Sequence, residues 1–259
     1  DGSANRLAHA DGSANRLAHA DGSANRLARV QVSVLDWGIG GVALLEQLRL
    51  ARPDLALRYR SDSGCAPWGT VPTRKLTRRL EAIVREELEV GSVGLLVACN
   101  AASTVLPRVR VPRSAQGMLL HGVIAPGTEA IIRQGFRRVG VVGGARTIRT
   151  GAWATPLRAA GIEVVQRIAQ PLSARIEAGD IDGPVTRALV QRLCKPLARC
   201  EAVILACTHY PAAREAFASA LPGVALFDPA DAALQTLLAA LPAPRKRGEA
   251  DWQTRGSLT

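Results

Sequence analysis

Two short apolar runs, each broken off by a cysteine and a polar side chain, limit what this chain can fold into. One is Leu95-Leu96-Val97-Ala98-Cys99-Asn100, the other Val203-Ile204-Leu205-Ala206-Cys207-Thr208-His209. Neither alternates apolar with polar residues, so neither suits a sheet with one wet face. A strand covered by helices on both faces has this continuous pattern, which belongs to the parallel sheets of α/β proteins. In open parallel sheets, ligands bind just beyond the carboxyl ends of the strands, so each cysteine falls where chemistry is usually done. Two thiols on either side of a crevice suit proton transfer to and from opposite faces of one substrate.

The rest of the chain repeats this logic. A β-branched run over 30–35 ends at Asp36, and Gly38, Gly40 and Gly41 turn it into a helix carrying Leu44, Leu45, Leu48 and Leu50. A second strand is expected over 55–59, an amphipathic helix with a solvated Arg/Glu face over 73–90, and a strand over 95–98 that delivers Cys99. After Pro107 and Pro112 the pattern restarts: a strand over 119–124, a helix over 128–134, and Arg138-Val139-Gly140-Val141-Val142-Gly143-Gly144 as a strand running into a glycine turn. The fold class expected is therefore α/β: two similar three-layer domains with mostly parallel sheets, a cysteine strand in each, and the active site in the cleft between them. Gly38, Gly40 and Ala43 also match a G-x-G-x-x-A dinucleotide fingerprint, but no acidic residue follows convincingly at the end of the next strand.

Composition matters where it removes other functions. The formal charge is +11, yet lysine occurs only at 75, 195 and 246, and the arginines are scattered among alanine and leucine rather than gathered in a stripe. Aromatic residues are 3%, too few for stacking platforms, so the charge does not read as a nucleic-acid partner. Three lysines without a supporting pattern argue against a pyridoxal Schiff base. No apolar run reaches membrane-spanning length and no signal-peptide pattern opens the chain, so a cytoplasmic protein without a membrane partner is expected. Five cysteines, an odd number, suit free thiols. Cys194, Cys200, Cys207 and His209 could be taken as a metal set, but no C-x-x-C pair supports it and no metal is expected. Cys65, Cys194 and Cys200 lack a catalytic context, and His121 reads as a core or domain-edge histidine. Residues 1–29 hold the decapeptide Asp-Gly-Ser-Ala-Asn-Arg-Leu-Ala-His-Ala repeated almost unchanged, too short for a solenoid unit, and read as a disordered tail. Residues 244–259, with Arg245-Lys246-Arg247, read as a second flexible tail.

Four motifs occur in the order found in glutamate racemases. Cys99-Asn100-Ala101-Ala102 resembles their Cys-Asn-Thr-Ala, and Ala206-Cys207-Thr208-His209-Tyr210-Pro211 their Gly-Cys-Thr-His-Tyr-Pro. Asp36-Trp37-Gly38-Ile39-Gly40-Gly41 is similar to their Asp-Ser-Gly-x-Gly-Gly, and Pro67-Trp68-Gly69 to their Pro-Tyr-Gly. The resemblance spans residues 30 to about 229. It implies a first domain over 30–122 that the chain rejoins over about 226–243, and a second over 123–225. It also implies a cofactor-independent racemase, acting on L- and D-glutamate and supplying D-glutamate for peptidoglycan, with a homodimer as the assembly. Cys99 and Cys207 would be the two catalytic acid/bases, with Asp36 and His209 exchanging their protons. Trp37, Trp68, Gly69, Asn100, Ala101, Thr208 and His209 stand at substrate-binding positions. Glu177, in Ile176-Glu177-Ala178-Gly179, matches a Glu-x-Gly segment near the cleft and reads equally well as a helix-surface acid.

Three positions depart from the family pattern. Trp37 replaces serine, Ala101 replaces threonine and Trp68 replaces tyrosine. The serine and threonine absent at 37 and 101 would each supply a hydroxyl to a charged ligand, a hydrogen bond worth roughly 1.5 to 3 kcal/mol. Alternatives left open by the residues are a racemase of another amino acid such as aspartate, a catalytically impaired relative acting as a binding protein, and a thiol hydrolase using Cys207 with His209.

Overall fold

The computed structural model describes residues 31–244. The repeat tail expected over 1–29 and, apart from Pro244, the tail expected over 244–259 lie outside the described residues. Along the chain follow β1 (Gln31–Asp36), α1 (Val42–Ala51), β2 (Ala56–Ser61), α2 (Thr73–Glu89), β3 (Ser92–Val97), α3 (Asn100–Ser103) and β4 (Leu119–Gly122). Then come α4 (Ile124–Arg133), β5 (Arg138–Gly143), α5 (Ala145–Arg149), α6 (Ala154–Ala159), β6 (Glu163–Ile168), α7 (Gln170–Glu177) and α8 (Pro184–Cys194). The last elements are β7 (Ala202–Ala206), α9 (Arg214–Ala220), β8 (Ala225–Phe227) and α10 (Pro229–Ala240).

The strands form two four-stranded sheets, ordered β2-β1-β3-β4 and β6-β5-β7-β8, with every pairing parallel. In each sheet the chain first adds a strand on one side of the founding strand and then crosses to the other. The strand order therefore reverses between β1 and β3, and again between β5 and β7. Such a switch point leaves a crevice at the carboxyl ends of the two flanking strands. Asp36 and Cys99 emerge at the first crevice, Gly144 and Cys207 at the second.

The continuous apolar runs are explained by what covers each face. Val32, Val34, Leu96 and Ala98 share one apolar cluster with Val139, Val141, Ile204 and Ala206, so a single core underlies both sheets. The alternate residues Leu35, Leu95 and Val97 pack with α2, while Val142, Val203 and Leu205 pack with α7, α8 and α9. Burying side chains of this size contributes about 1.5–3 kcal/mol each. Cys194 and Cys200 are buried in the α8 cluster, and Cys65 is exposed. Helix α10 packs on α4, α1, β3 and β4. Within the segment expected to rejoin the first half, Leu226 and Phe227 belong to β8 and pair with β7, and the contacts with α1, β3 and β4 are made by α10, from Pro229 onward.

One helix starts earlier than its pattern suggests. The run expected over 128–134 is α4, which begins at Ile124 and passes through Pro126 and Gly127. Proline is tolerated there because the first-turn N–H groups have no helical acceptor. Gly127 is required for contact rather than for a turn: a Cβ would stand 2.5 Å from the Trp153 ring.

A polar chain, buried at Asp62 and Glu87 and part-exposed at Arg79 and Glu86, crosses the first half. Trp68 Nε1 donates to Asp62 at 3.0 Å, Arg79 Nε donates to the same carboxylate at 3.1 Å, and Arg79 reaches Glu86 at 3.4 Å. Arg60 pairs with Glu86 and, at 3.0 Å, with Glu87, which is fully buried and accepts from Ser33 and Ser92. Burial raises the Asp62 pKa, but Arg79 and the Trp68 indole outweigh it and hold the carboxyl below its ordinary value. A residue expected to touch ligand, Trp68, is thus anchored by its side chain in the first half's core and turns its backbone to the cleft.

Candidate active site

A cleft of about 260 Å³ opens between the carboxyl ends of the two sheets. From the first half it is lined by Asp36, Trp37, Gly38, Trp68, Gly69, Cys99, Asn100 and Ala101, and from the second by Glu177, Cys207, Thr208 and His209. Every residue the sequence nominated for the site therefore borders one cavity. Three more line it from α7, Gln170, Ser173 and Ala174 beside Glu177, and Arg146 and Thr147 join them from α5. The α7 set was legible as one helix face, since 170, 173, 174 and 177 follow the i, i+3, i+4, i+7 spacing. Arg146 carried no such signal among so many arginines.

Cys99 follows β3 and caps α3, so the amides of Ala102 and Ala101 face its sulfur. Burial pushes its thiol well above the ordinary cysteine range, nearby Asp36 adds to this, and the two amides offset part of it. Asp36 is itself nearly fully buried. Its Oδ1 accepts from the Trp37 amide at 2.8 Å, and its Oδ2 is buried without a hydrogen-bond partner of good geometry. Desolvation raises this carboxyl, and the Trp37 amide, His209, Cys99 and Thr208 only partly oppose the rise.

On the other side, Cys207 Sγ lies 3.6 Å from His209 Nδ1 and 3.8 Å from Ser173 Oγ. His209 Nε2 is in turn 3.0 Å from Glu177 Oε1, although the angle falls short of a good hydrogen bond. Glu177, readable as a surface acid, thus stands at the end of a row running from Cys207 through His209. Burial pushes the Cys207 thiol up to about 11, with the His209 amide and the Ser173 hydroxyl opposing and the Asp36 and Glu177 charges adding to it.

The two departures at lost hydroxyls differ in their surroundings. The Trp37 indole donates to the Cys65 carbonyl at 3.0 Å and packs beside the first-half core, while still bordering the cleft. Ala101 leaves only a methyl at its position. The glycine turn after β1 is filled from across the cleft: a Cβ on Gly40 would stand 2.4 Å from Thr208 Oγ1 and 2.8 Å from Asp36 Oδ2. In the G-x-G-x-x-A run, Gly40 is thus set by close packing on Thr208 and Asp36.

The model of the family described as Asp/Glu/Hydantoin racemase matches residues 71–237. A glutamate racemase of Pseudomonas aeruginosa is 34% identical over 198 residues, covering 74% of this chain and 73% of that protein. The chain belongs to the Asp/Glu/hydantoin racemase family. Among solved structures, glutamate racemase from Thermus thermophilus in complex with beta-chloro-D-alanine superposes with a TM-score of 0.72 at 30% identity, covering 84% of this chain and 85% of that one. Glutamate racemase from Francisella tularensis in complex with D-glutamate gives a TM-score of 0.75 at 25% identity, covering 82% and 80%. Like these relatives, this racemase-family chain has an α/β fold of two parallel sheets flanked by helices. Among its described residues no helix is long and apolar enough to cross a membrane.

Proposed function

We propose that this chain interconverts L- and D-glutamate by a two-base mechanism in which Cys99 and Cys207 work on opposite faces of the α-carbon. The observation that supports this reading most is that both thiols border one cleft, each with its own proton acceptor, Asp36 beside Cys99 and His209 beside Cys207. For one enantiomer, the Cys99 thiolate takes the α-proton and becomes a thiol, and the electron pair stays on the α-carbon. The Cys207 thiol then delivers its proton to the opposite face and is left as a thiolate. The other enantiomer runs the same steps in reverse. Asp36 and His209, the latter braced by Glu177, return the protons that reset the pair. Burial makes each thiolate scarcer but also more basic, which suits a proton as reluctant as that on an amino-acid α-carbon. Asn100, Thr208 and the backbone at Trp68 and Gly69 bind the substrate. The resemblance to glutamate racemases extends the reading to a cytoplasmic supply of D-glutamate for peptidoglycan.

The test is α-proton exchange. The protein is incubated with L- or D-glutamate in deuterated water, and loss of the α-proton is followed by NMR together with optical rotation. The unaltered protein is expected to exchange and invert both enantiomers, and Cys99→Ala and Cys207→Ala each to slow inversion by about 10²- to 10⁴-fold, the usual worth of one acid/base group. Absence of exchange with either enantiomer would sink the proposal.

A further inference from the structure

Arg146 reaches from α5 to the loop of the first half that carries the Pro67-Trp68-Gly69 motif. Its Nε donates to the Trp68 carbonyl at 3.1 Å, Nη1 to Thr73 Oγ1 at 3.3 Å, and Nη2 to the Val71 carbonyl. All three acceptors are neutral, and among the described residues no carboxylate pairs with this guanidinium. Arginine has five N–H donors, so two on the Nη groups remain after these bonds. The side chain is half-buried and borders the cleft that holds both thiols. A desolvated cation held by carbonyls, with donors to spare, is a recognition site for an anion.

We propose that Arg146 is a specificity-determining residue that takes the side-chain carboxylate of a dicarboxylic amino acid. The inference rests on the racemase reading given above and adds to it the means by which an acidic side chain is chosen. Geometry favours the side-chain carboxylate over the α-carboxylate. An α-carbon between Cys99 and Cys207 keeps its own carboxylate near the strand ends, beside Asn100 and Thr208, whereas the Arg146 bonds all go to residues 68–73, on the loop of the Pro67-Trp68-Gly69 motif. Glu177 and Asp36, which line the same cleft from opposite halves, are the acidic side chains within it that a substrate ammonium could meet. Arg146 also answers the two departures in the pocket: where Trp37 and Ala101 bring no hydroxyl, a charged donor from the other half provides the grip. Burial depresses the guanidinium's proton affinity, with Cys99 opposing only part of the fall, and a bound carboxylate would relieve that penalty.

The experiment compares L-glutamate with its neutral isostere L-glutamine in the full chain. Binding is measured by calorimetry and turnover by α-proton exchange, for the unaltered protein, Arg146→Gln and Arg146→Lys. Loss of one charge-assisted contact predicts glutamate binding weaker by about 10- to 100-fold in Arg146→Gln, glutamine binding changed less than about threefold, and partial recovery in Arg146→Lys. Equal losses for both ligands would overturn the proposal and make Arg146 a strap between the halves. So would unaltered protein that binds glutamine as tightly as glutamate. If the unaltered protein prefers glutamate in an Arg146-dependent way yet exchanges no α-proton, the racemase reading falls and the recognition role stands.

Discussion

The indole N–H of Trp153 donates to Oδ1 of Asn100 across 3.2 Å, tying the residue next to Cys99 to the second half of the molecule. Both side chains are buried, so Asn100 is held from the core that the two halves share as well as by its own short helix. Trp153→Phe keeps most of the ring and removes the donor. It should lower stability by about 1–3 kcal/mol, the penalty for a buried acceptor left unpaired, seen in urea unfolding as a lower midpoint with an unchanged slope. An unchanged midpoint would mean that Asn100 finds another partner.

Gly40→Ala tests the contact between the glycine turn and Thr208. The added methyl would overlap Thr208 Oγ1 and Asp36 Oδ2, and relieving the overlap should cost about 1–3 kcal/mol. Because the atoms displaced border both thiols, α-proton exchange should fall by about 100-fold while circular dichroism stays that of the parent. By contrast, a Cβ at Gly69 meets nothing within 4 Å, so Gly69→Ala should leave the fold unaffected.

The buried Asp36 carboxyl has a defined pH signature. Its folded pKa is raised, so the folded protein binds the proton more tightly than the unfolded chain does. The stability this contributes is fully present below the ordinary aspartate value and is lost as pH rises through the folded one. Asp36→Asn removes that dependence. The variant should therefore gain on the parent as pH is raised from about 3.5 upward, measured as the difference in thermal midpoint at each pH. A difference that stays constant with pH would show that Asp36 ionises as freely folded as unfolded.

Thiol reactivity gives a fourth check. With Cys207 pushed up to about 11 and Cys99 raised by burial and Asp36, both are thiols at neutral pH. Iodoacetamide at pH 8 should label exposed Cys65 first, with Cys207 reacting through a thiolate fraction on the order of a thousandth, as read by peptide mass spectrometry. Labelling of Cys207 ahead of Cys65 would contradict the burial effect.

The paired cysteine strands were readable because a run buried on both faces has no polar residue to confuse it, and its end is marked by the change to Cys-Asn or Cys-Thr. The position of α4 was harder to read, since Pro126 and Gly127 look like a turn until Trp153 is seen packed on Gly127. Leu50 counts as an apolar residue of α1 yet is 67% exposed, because it lies two residues beyond Leu48, about 200° round the helix from the buried face of Leu44 and Leu48. The role of Trp68 was hidden as well. Its indole belongs to the Asp62 and Arg79 network, a contact between residues 6 and 17 apart in sequence that no local pattern announces. Arg146 was hidden by abundance, because a guanidinium that crosses a cleft looks in sequence like the many that face solvent.

The apolar body shared by β1, β3, β5 and β7 bears on how a ligand gets in. Val34 and Val141 cannot part without wetting the same interior, so the two halves are hinged by a seam too oily to unzip on each turnover. Traffic passes the lip instead, where Arg146 of α5 holds loop 67–73 by three hydrogen bonds that have to let go. The doorway of this molecule is therefore much smaller than the furniture around it, and its latch is kept by side chains rather than by whole lobes.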